Sequence, residues 1–342
     1  MSAQYYLADA PSDIISSLRF SPSARHSSFL LASSWDSSLR LYDVAGSSHG
    51  NGSLLTRFDT EQPILDCTWD RDGRRAYIGG VDGVLRMVDL ECHETTDADA
   101  LHIHASAITS IVQHDYTNAV VTGSWDRTLH VHDTRTHATR ADISLPHKVF
   151  SMDATRDGYM LVVGMAARAV FVYDLRNMAE PFQRRESSLK YMTRTVRCIL
   201  TGEGYASSSI EGRIAVDFFD PTPAAQTQKY AFKCHRATTP AHDTVYPVNA
   251  LSFHPTFGTF VSGGSDALVC FWDYRARKRL RQYPAMPGAV QALEFDISGS
   301  MLAVAYGGDV DLGRDGDAAG TGADTCGIAV RVLAPGEGKS KA

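Results

Sequence analysis

The strongest chemical signal in the chain is a run of positive charge. Between Arg184 and Arg197 stand Arg184, Arg185, Lys190, Arg194 and Arg197 against a single acid, Glu186; Arg213, Lys233 and Arg236 follow. A guanidinium offers a planar fork of N–H donors that matches phosphate or carboxylate by paired hydrogen bonds, while an ammonium acts as a point charge. Phosphothreonine carries about −1.5 to −2 charges and three acceptor oxygens. The cluster therefore suits one compact anion. Its bland alternative is a solvated basic face paired with Glu186 and Glu211. The whole chain has net charge −6, whereas binders of duplex nucleic acid usually carry a basic excess, so no direct nucleic-acid contact is expected.

Other motifs carry less. Asp309–Asp317 superficially resembles a calcium loop, but Gly313 stands where an acid is needed and strands, not helices, flank it. The Gly338-Lys339-Ser340 end lacks the earlier glycine of a phosphate loop, since Leu333 fills that position. His102/His104 and His130/His132 each share a strand face, with no third ligand evident. No nucleophile elbow, paired-carboxylate motif or dinucleotide fingerprint is present, so neither enzyme activity, metal nor cofactor is expected. The six cysteines form no Cys-x-x-Cys pair, and free thiols in a reducing compartment are expected. Met1–Ala10 has no basic start and no long apolar run and does not read as a signal peptide, and Met160–Tyr173 is too short to span a bilayer and contains Arg168.

These side chains are positioned by a repeat. A small-residue pair, a turn and an alternating strand ending in Asp recur: Ser33-Ser34-Trp35-Asp36 to Asp43, Gly79-Gly80-Val81-Asp82 to Asp89, and Gly123-Ser124-Trp125-Asp126 to Asp133. Further copies end at Asp174, Asp217 and Asp273, the first with Ala167 at the acid's place. The turn positions 36, 82, 126, 167, 211 and 266 are spaced roughly as propeller blades of about 40–45 residues. A degenerate seventh copy is expected between Ala292 and Val332, with a strand near Tyr5–Ala8 closing the ring. The prediction is an all-β, seven-bladed propeller occupying 1–334 as a single domain, with 335–342 as a disordered tail. The turn acids Asp36, Asp82, Asp126 and Asp266 are expected to accept backbone N–H bonds rather than to catalyse. Trp35 and Trp125 occupy such turns, either as packing residues or as anchors for a bound peptide. Arg275–Arg281 reads as a charged hairpin, or more weakly as a nuclear import signal.

The fifth copy is the most specific text. Arg184-Arg185-Glu186-Ser187-Ser188, Ser208-Ser209-Ile210-Glu211-Gly212-Arg213, Phe232-Lys233-Cys234-His235-Arg236 and Tyr246-Pro247-Val248-Asn249-Ala250, with Ser33-Ser34-Trp35-Asp36, resemble the mitotic checkpoint WD40 family named Bub three, over about residues 12–306. A sister family of messenger-RNA export factors at the nuclear pore shares the Ser-Ile-Glu-Gly-Arg and Phe-Lys-Cys-His-Arg phrases. The resemblance implies a non-enzymatic adaptor, monomeric when alone, in the nucleus and at mitotic kinetochores. It would hold a short motif of a checkpoint kinase and of that kinase's inhibitor-type relative. It would also dock on phosphorylated Met-Glu-Leu-Thr repeats of the kinetochore scaffold. The family's phosphate contacts fall on Arg194, Arg213 and Lys233, and peptide contacts are expected at Trp35, Trp125, Arg236 and Glu211. The alternative is an export adaptor at the nuclear pore; a ubiquitin-ligase substrate receptor and a catalytic propeller rank below both.

Overall fold

The computed structural model describes residues 3–45, 52–91, 94–96, 103–136, 138–156, 158–240, 242–308 and 326–340. The backbone forms seven four-stranded antiparallel sheets and one small hairpin. The innermost strands are Ile15–Phe20, Ile64–Trp69, Ile108–His114, Val149–Ala154, Thr193–Cys198, Val248–Phe253 and Ala289–Phe295. Each touches the next, and the last touches the first, so the sheets close into a seven-bladed ring. The seventh blade takes its outer strand, Ala3–Tyr6, from the start of the chain, in register Tyr5↔Val330 against Gly327–Val332. Among the described residues, no helix is long and apolar enough to cross a membrane.

Burial follows from stacking. A middle strand of a blade has neighbours on both faces, so Phe29–Ser34 and Ser38–Asp43 are buried almost throughout. The expected alternation of Leu39 and Leu41 against Arg40 and Tyr42 thus becomes two buried faces rather than one dry and one wet. Arg40 tolerates this because its guanidinium meets Asp36 at 3.0 Å and also bonds the Asp9 carbonyl. Strict alternation survives on outer strands such as Thr139–Ser144, which have one open face.

The repeated turn has a backbone cause. The residue after each turn acid, or after its substitute Ala167, lies in the left-handed region: Ser37, Gly83, Arg127, Arg168, Gly212 and Ala267. Only two of the six are glycine; where Asp is present, its carboxylate accepts the N–H two residues on and holds the turn. Asp36 accepts Ser38 N at 3.0 Å and Ser12 N at 3.0 Å, which ties the turn to the preceding interblade connection. Asp126 does the same with Thr128 N and Ala105 N, each at 2.9 Å. Burial disfavours both charged carboxylates, but these hydrogen bonds and the neighbouring Arg40 or His104 outweigh it, and both titrate below the usual range.

Two expectations change, and Arg275–Arg281 forms the charged hairpin expected of it. The long step between the fifth and sixth turns, read as irregular over Ala237–Thr244, contains a hairpin, Arg236–Thr238 paired with Asp243–Val245. The end of the chain, read as disordered over 335–342, is packed against the propeller as far as the described residues run. Glu337 is buried, accepts from Arg281 at 2.6 Å and from Tyr283 at 3.0 Å, and Gly338 O accepts from Thr259. A small, Gly-rich and charged stretch looks solvated in sequence; one carboxylate that accepts from Arg281, Tyr283 and Ala334 N fixes it. Within Arg275–Arg281, Lys278–Arg281 pair in register with Phe271–Asp273 as the outer strand of blade six. A strand held in a sheet is unlike the extended peptide an import signal presents. Asp309–Asp317 and His102 lie outside the described residues.

Candidate functional site

In an antiparallel meander, the turn between a blade's second and third strands and the connection to the next blade emerge on one face. Trp35, Val81 and Trp125 occupy equivalent turns of blades one, two and three on that face. Trp35 and Val81 are exposed. Trp125 is half-buried, its indole Nε1 is enclosed without a hydrogen-bond partner, and Lys148 Nζ sits 5.9 Å from its ring centroid. Tyr191 and Met192, in the connection entering blade five, are exposed on the same face. Sequence reasoning singled out neither Val81 nor Met192; their signal was position, one in a repeated turn and one beside the basic run.

Blade five consists of Thr193–Cys198, Gly204–Ser209, Arg213–Phe218 and Tyr230–Lys233. At its upper edge the register runs Thr193↔Ser209, Ser209↔Arg213 and Arg213↔Lys233. Arg213 and Lys233 are thus directly opposed, where like charges repel unless an anion lies between or near them. Lys233 is exposed and Arg213 half-buried. Glu211 occupies the place of the repeated turn acid: it accepts Lys190 N at 3.2 Å and faces Arg213 Nε at 3.4 Å. Arg236 donates from Nη2 to Glu211 O at 2.9 Å. The Nε atoms of Arg213 and Arg236 are both buried with no hydrogen bond of acceptable geometry. Three cationic side chains with Glu211 as the acid facing Arg213, and Lys233 exposed among them, make this edge suited to an anionic acceptor.

Arg194 lies next to Thr193 on the innermost strand and lines the upper end of the central channel with Asn249 and Gln291. Its Nε and Nη2 donate to Asn249 Oδ1 at 3.2 and 2.9 Å. Asn249 Nδ2 in turn donates to Ser265 Oγ and to Val290 O. The sequence cluster therefore divides. Arg194, Arg213, Lys233 and Arg236 belong to the upper part of blade five and its junction with blade six. Arg184 and Arg185 are on the outer strand of blade four, where Arg184 bonds Glu180 and Arg185 bonds Phe219 O. Arg197 lies between the two ends of the channel, lining the upper region with Arg194 and also the lower chamber of about 490 Å³.

The histidines have structural work. His104 bonds Asp126, Thr128 and Thr122, and stacks on His130 with centroids 3.7 Å apart. His235 bonds Asp266 and Ser262 at 2.8 Å each, and Trp272 Nε1 donates to the same Ser262 hydroxyl. Among the described residues, no three His, Cys, Asp or Glu side chains are grouped to hold a metal ion. The channel does collect charge that the sequence scattered: Arg19 lies 3.4 Å from Asp66 and 3.7 Å from Glu294. Asp66 accepts Ile111 N at 2.8 Å and Asp153 accepts Cys198 N at 2.7 Å, so these acids join neighbouring blades.

Closed ring, turn acids and the His235–Asp266–Ser262–Trp272 network define a propeller of the WD40 type. Residues 5–43, 98–133 and 233–273 match the family described as WD domain, G-beta repeat. Over 309 residues the chain is 45% identical to the mitotic checkpoint protein BUB3.1 of Arabidopsis thaliana, covering 89% of this chain and 87% of the relative. It is 39% identical to the spindle assembly checkpoint protein bub3 of Schizosaccharomyces pombe, covering 86% and 88%. The poly(A)+ RNA export protein of the same yeast is 35% identical, covering 90% and 85%. The chain belongs to the Bub3 family of mitotic checkpoint proteins.

Proposed function

We propose that the chain is a non-enzymatic adaptor of the spindle assembly checkpoint, working in the nucleus and at mitotic kinetochores. It recruits a checkpoint kinase, or its inhibitor-type relative, to phosphorylated Met-Glu-Leu-Thr repeats of the kinetochore scaffold. The observation that carries this reading is the opposed Arg213–Lys233 pair, with the enclosed Nε donors of Arg213 and Arg236 beside it. In this reading Arg213 and Lys233 take the phosphothreonine and Arg194 completes the site from the channel side. Glu211 acts through Arg213, and Arg236 fixes the turn and receives a peptide acid. The apolar turns carrying Trp35 and Trp125 hold the kinase motif.

The test is fluorescence anisotropy of a labelled Met-Glu-Leu-phosphoThr peptide. Arg213→Ala is expected to cost about 1.5–3 kcal/mol of affinity, roughly 10- to 150-fold. Because Arg213 also faces Glu211, Lys233→Ala at an exposed side chain is the companion variant that leaves the fold intact. Equal affinity for the phosphorylated and unmodified peptides would remove the phosphate assignment. The 35% identity to an RNA export protein supports a second reading, an adaptor at the nuclear pore; binding of an export-factor motif without any phosphopeptide binding would favour it.

A further inference from the structure

Three serine or threonine residues in the chain precede a proline: Ser21, Thr222 and Thr239. That pair is the minimal feature read by proline-directed protein kinases; the fold buries the serine and leaves both threonines exposed, on opposite faces. Ser21 is 1% exposed, and its Oγ accepts Ser23 N. Thr222 caps the short helix Pro223–Gln226 through its side-chain oxygen, beyond the blade-five strand that ends at Phe218, on the face opposite the Arg213 turn. Thr239 is exposed in the hairpin inserted between blades five and six, and its Oγ1 makes only local bonds, donating to His242 O at 2.7 Å and accepting from His242 N at 3.2 Å.

The hairpin is rooted in the candidate site. Arg236 opens it, pairs with Val245 across it, and bonds Glu211 O. Cys234 N donates to Gly212 O, and Tyr246 N to His235 O, so both ends are tied beside the Arg213 turn. Three residues of extended chain separate Arg236 from Thr239, roughly 10 Å. That is close to the screening length of about 8 Å at physiological salt.

We propose that Thr239 is a phosphorylation site whose phosphate closes the neighbouring cationic site to phosphopeptides. The inference deepens the function proposed above and rests on it. In the transfer, Thr239 Oγ1 forms a bond to the γ-phosphorus of ATP, the bond to the β-phosphate oxygen breaks, ADP leaves, and the hydroxyl proton passes to the kinase's base. The product carries about −1.5 to −2 charges. It offsets the field of Arg213, Lys233 and Arg236 and repels a second phosphate approaching them.

The experiment incubates the full chain with a proline-directed kinase and ATP, maps the phosphate by mass spectrometry, and titrates both forms with the Met-Glu-Leu-phosphoThr peptide. One phosphate at Thr239 is expected, absent from Thr239→Ala and from Pro240→Ala, the latter keeping the hydroxyl. The phosphorylated form should bind roughly three- to tenfold more weakly at low salt, converging with the unmodified form as salt rises. Incorporation only at Thr222, or equal peptide affinity of the two forms, overturns the inference while leaving the proposed function standing. Failure of the unmodified protein to bind the peptide removes the function first and this regulation with it.

Discussion

At the residue scale, the site depends on groups that have no charge of their own. Asn249 accepts two bonds from Arg194 and donates to Ser265 and Val290, so one amide orients a blade-five arginine from blades six and seven. Asn249→Leu removes that acceptor. It is expected to weaken phosphopeptide binding severalfold and to cost about 1–3 kcal/mol of stability. Peptide titration and urea unfolding of the same sample read the two effects. Asn249 was in view in the sequence, inside a family phrase, but nothing in its type announced a role; Arg194 announced itself by charge. A second residue prediction concerns acid. Hydrogen bonds from Arg140 pull the Asp133 carboxyl down to about 2 from 3.8. A carboxyl lowered on folding stabilises above its unfolded pKa and loses that contribution as pH falls through its folded one. Asp133→Asn should therefore melt below the parent at neutral pH, and the gap should narrow between about 3.8 and about 2. A gap independent of pH would show that Asp133 acts only as a neutral acceptor.

At the element scale, the informative strand is the first. Ala3–Tyr6 carries no repeat phrase, and three of its four residues are exposed, yet it completes blade seven. Leu7, just beyond it, is buried and donates its N–H to Ile328 O. Removing residues 1–8 is expected to cost about 2–5 kcal/mol from Leu7 alone. It also uncovers the edge of Gly327–Val332, an unpaired strand that invites association. A lowered urea midpoint together with dimers or larger species in light scattering would bear this out; an unchanged monomer would mean that closure through this strand is dispensable. The sequence placed this strand near Tyr5–Ala8 by counting blades, since a ring needs a partner for its last sheet. It did not place the Arg236–Val245 hairpin or the docked Glu337, because each depends on a few contacts to residues distant in the chain.

At the scale of the whole molecule, the blades are joined by side chains as well as by packing. Ser16 donates to Ile64 O, Thr109 to Val149 O and Ser208 to Val248 O, while Asp66, Ser110, Ser151 and Asp153 accept N–H bonds from the next blade. Such coupling makes local opening of one blade costly to its neighbours. The buried thiols offer a readout. Burial pushes Cys67 up to about 12 and Cys270 up to about 11, and raises Cys198 and Cys234 as well. These four should resist alkylation in the folded protein and react together at the global unfolding midpoint. Early reaction of Cys198 and Cys234 alone would show blade five opening by itself.

The sequence alone determined the number of blades, their turns, the family, and the presence of a basic cluster on an acidic chain. Each of these is written locally: a repeat is a recurring set of neighbours, and net charge is a count. It could not decide which charges meet. Arg184 and Arg194 are neighbours in the chain but belong to different blades, while Arg19 and Glu294 meet because the ring closes. Only the tertiary structure separated the three Ser/Thr–Pro pairs, burying Ser21 and exposing Thr222 on one face and Thr239 on the other, beside the cationic cluster. Burial and cross-strand register depend on what the rest of the chain brings alongside, and a linear pattern does not carry that.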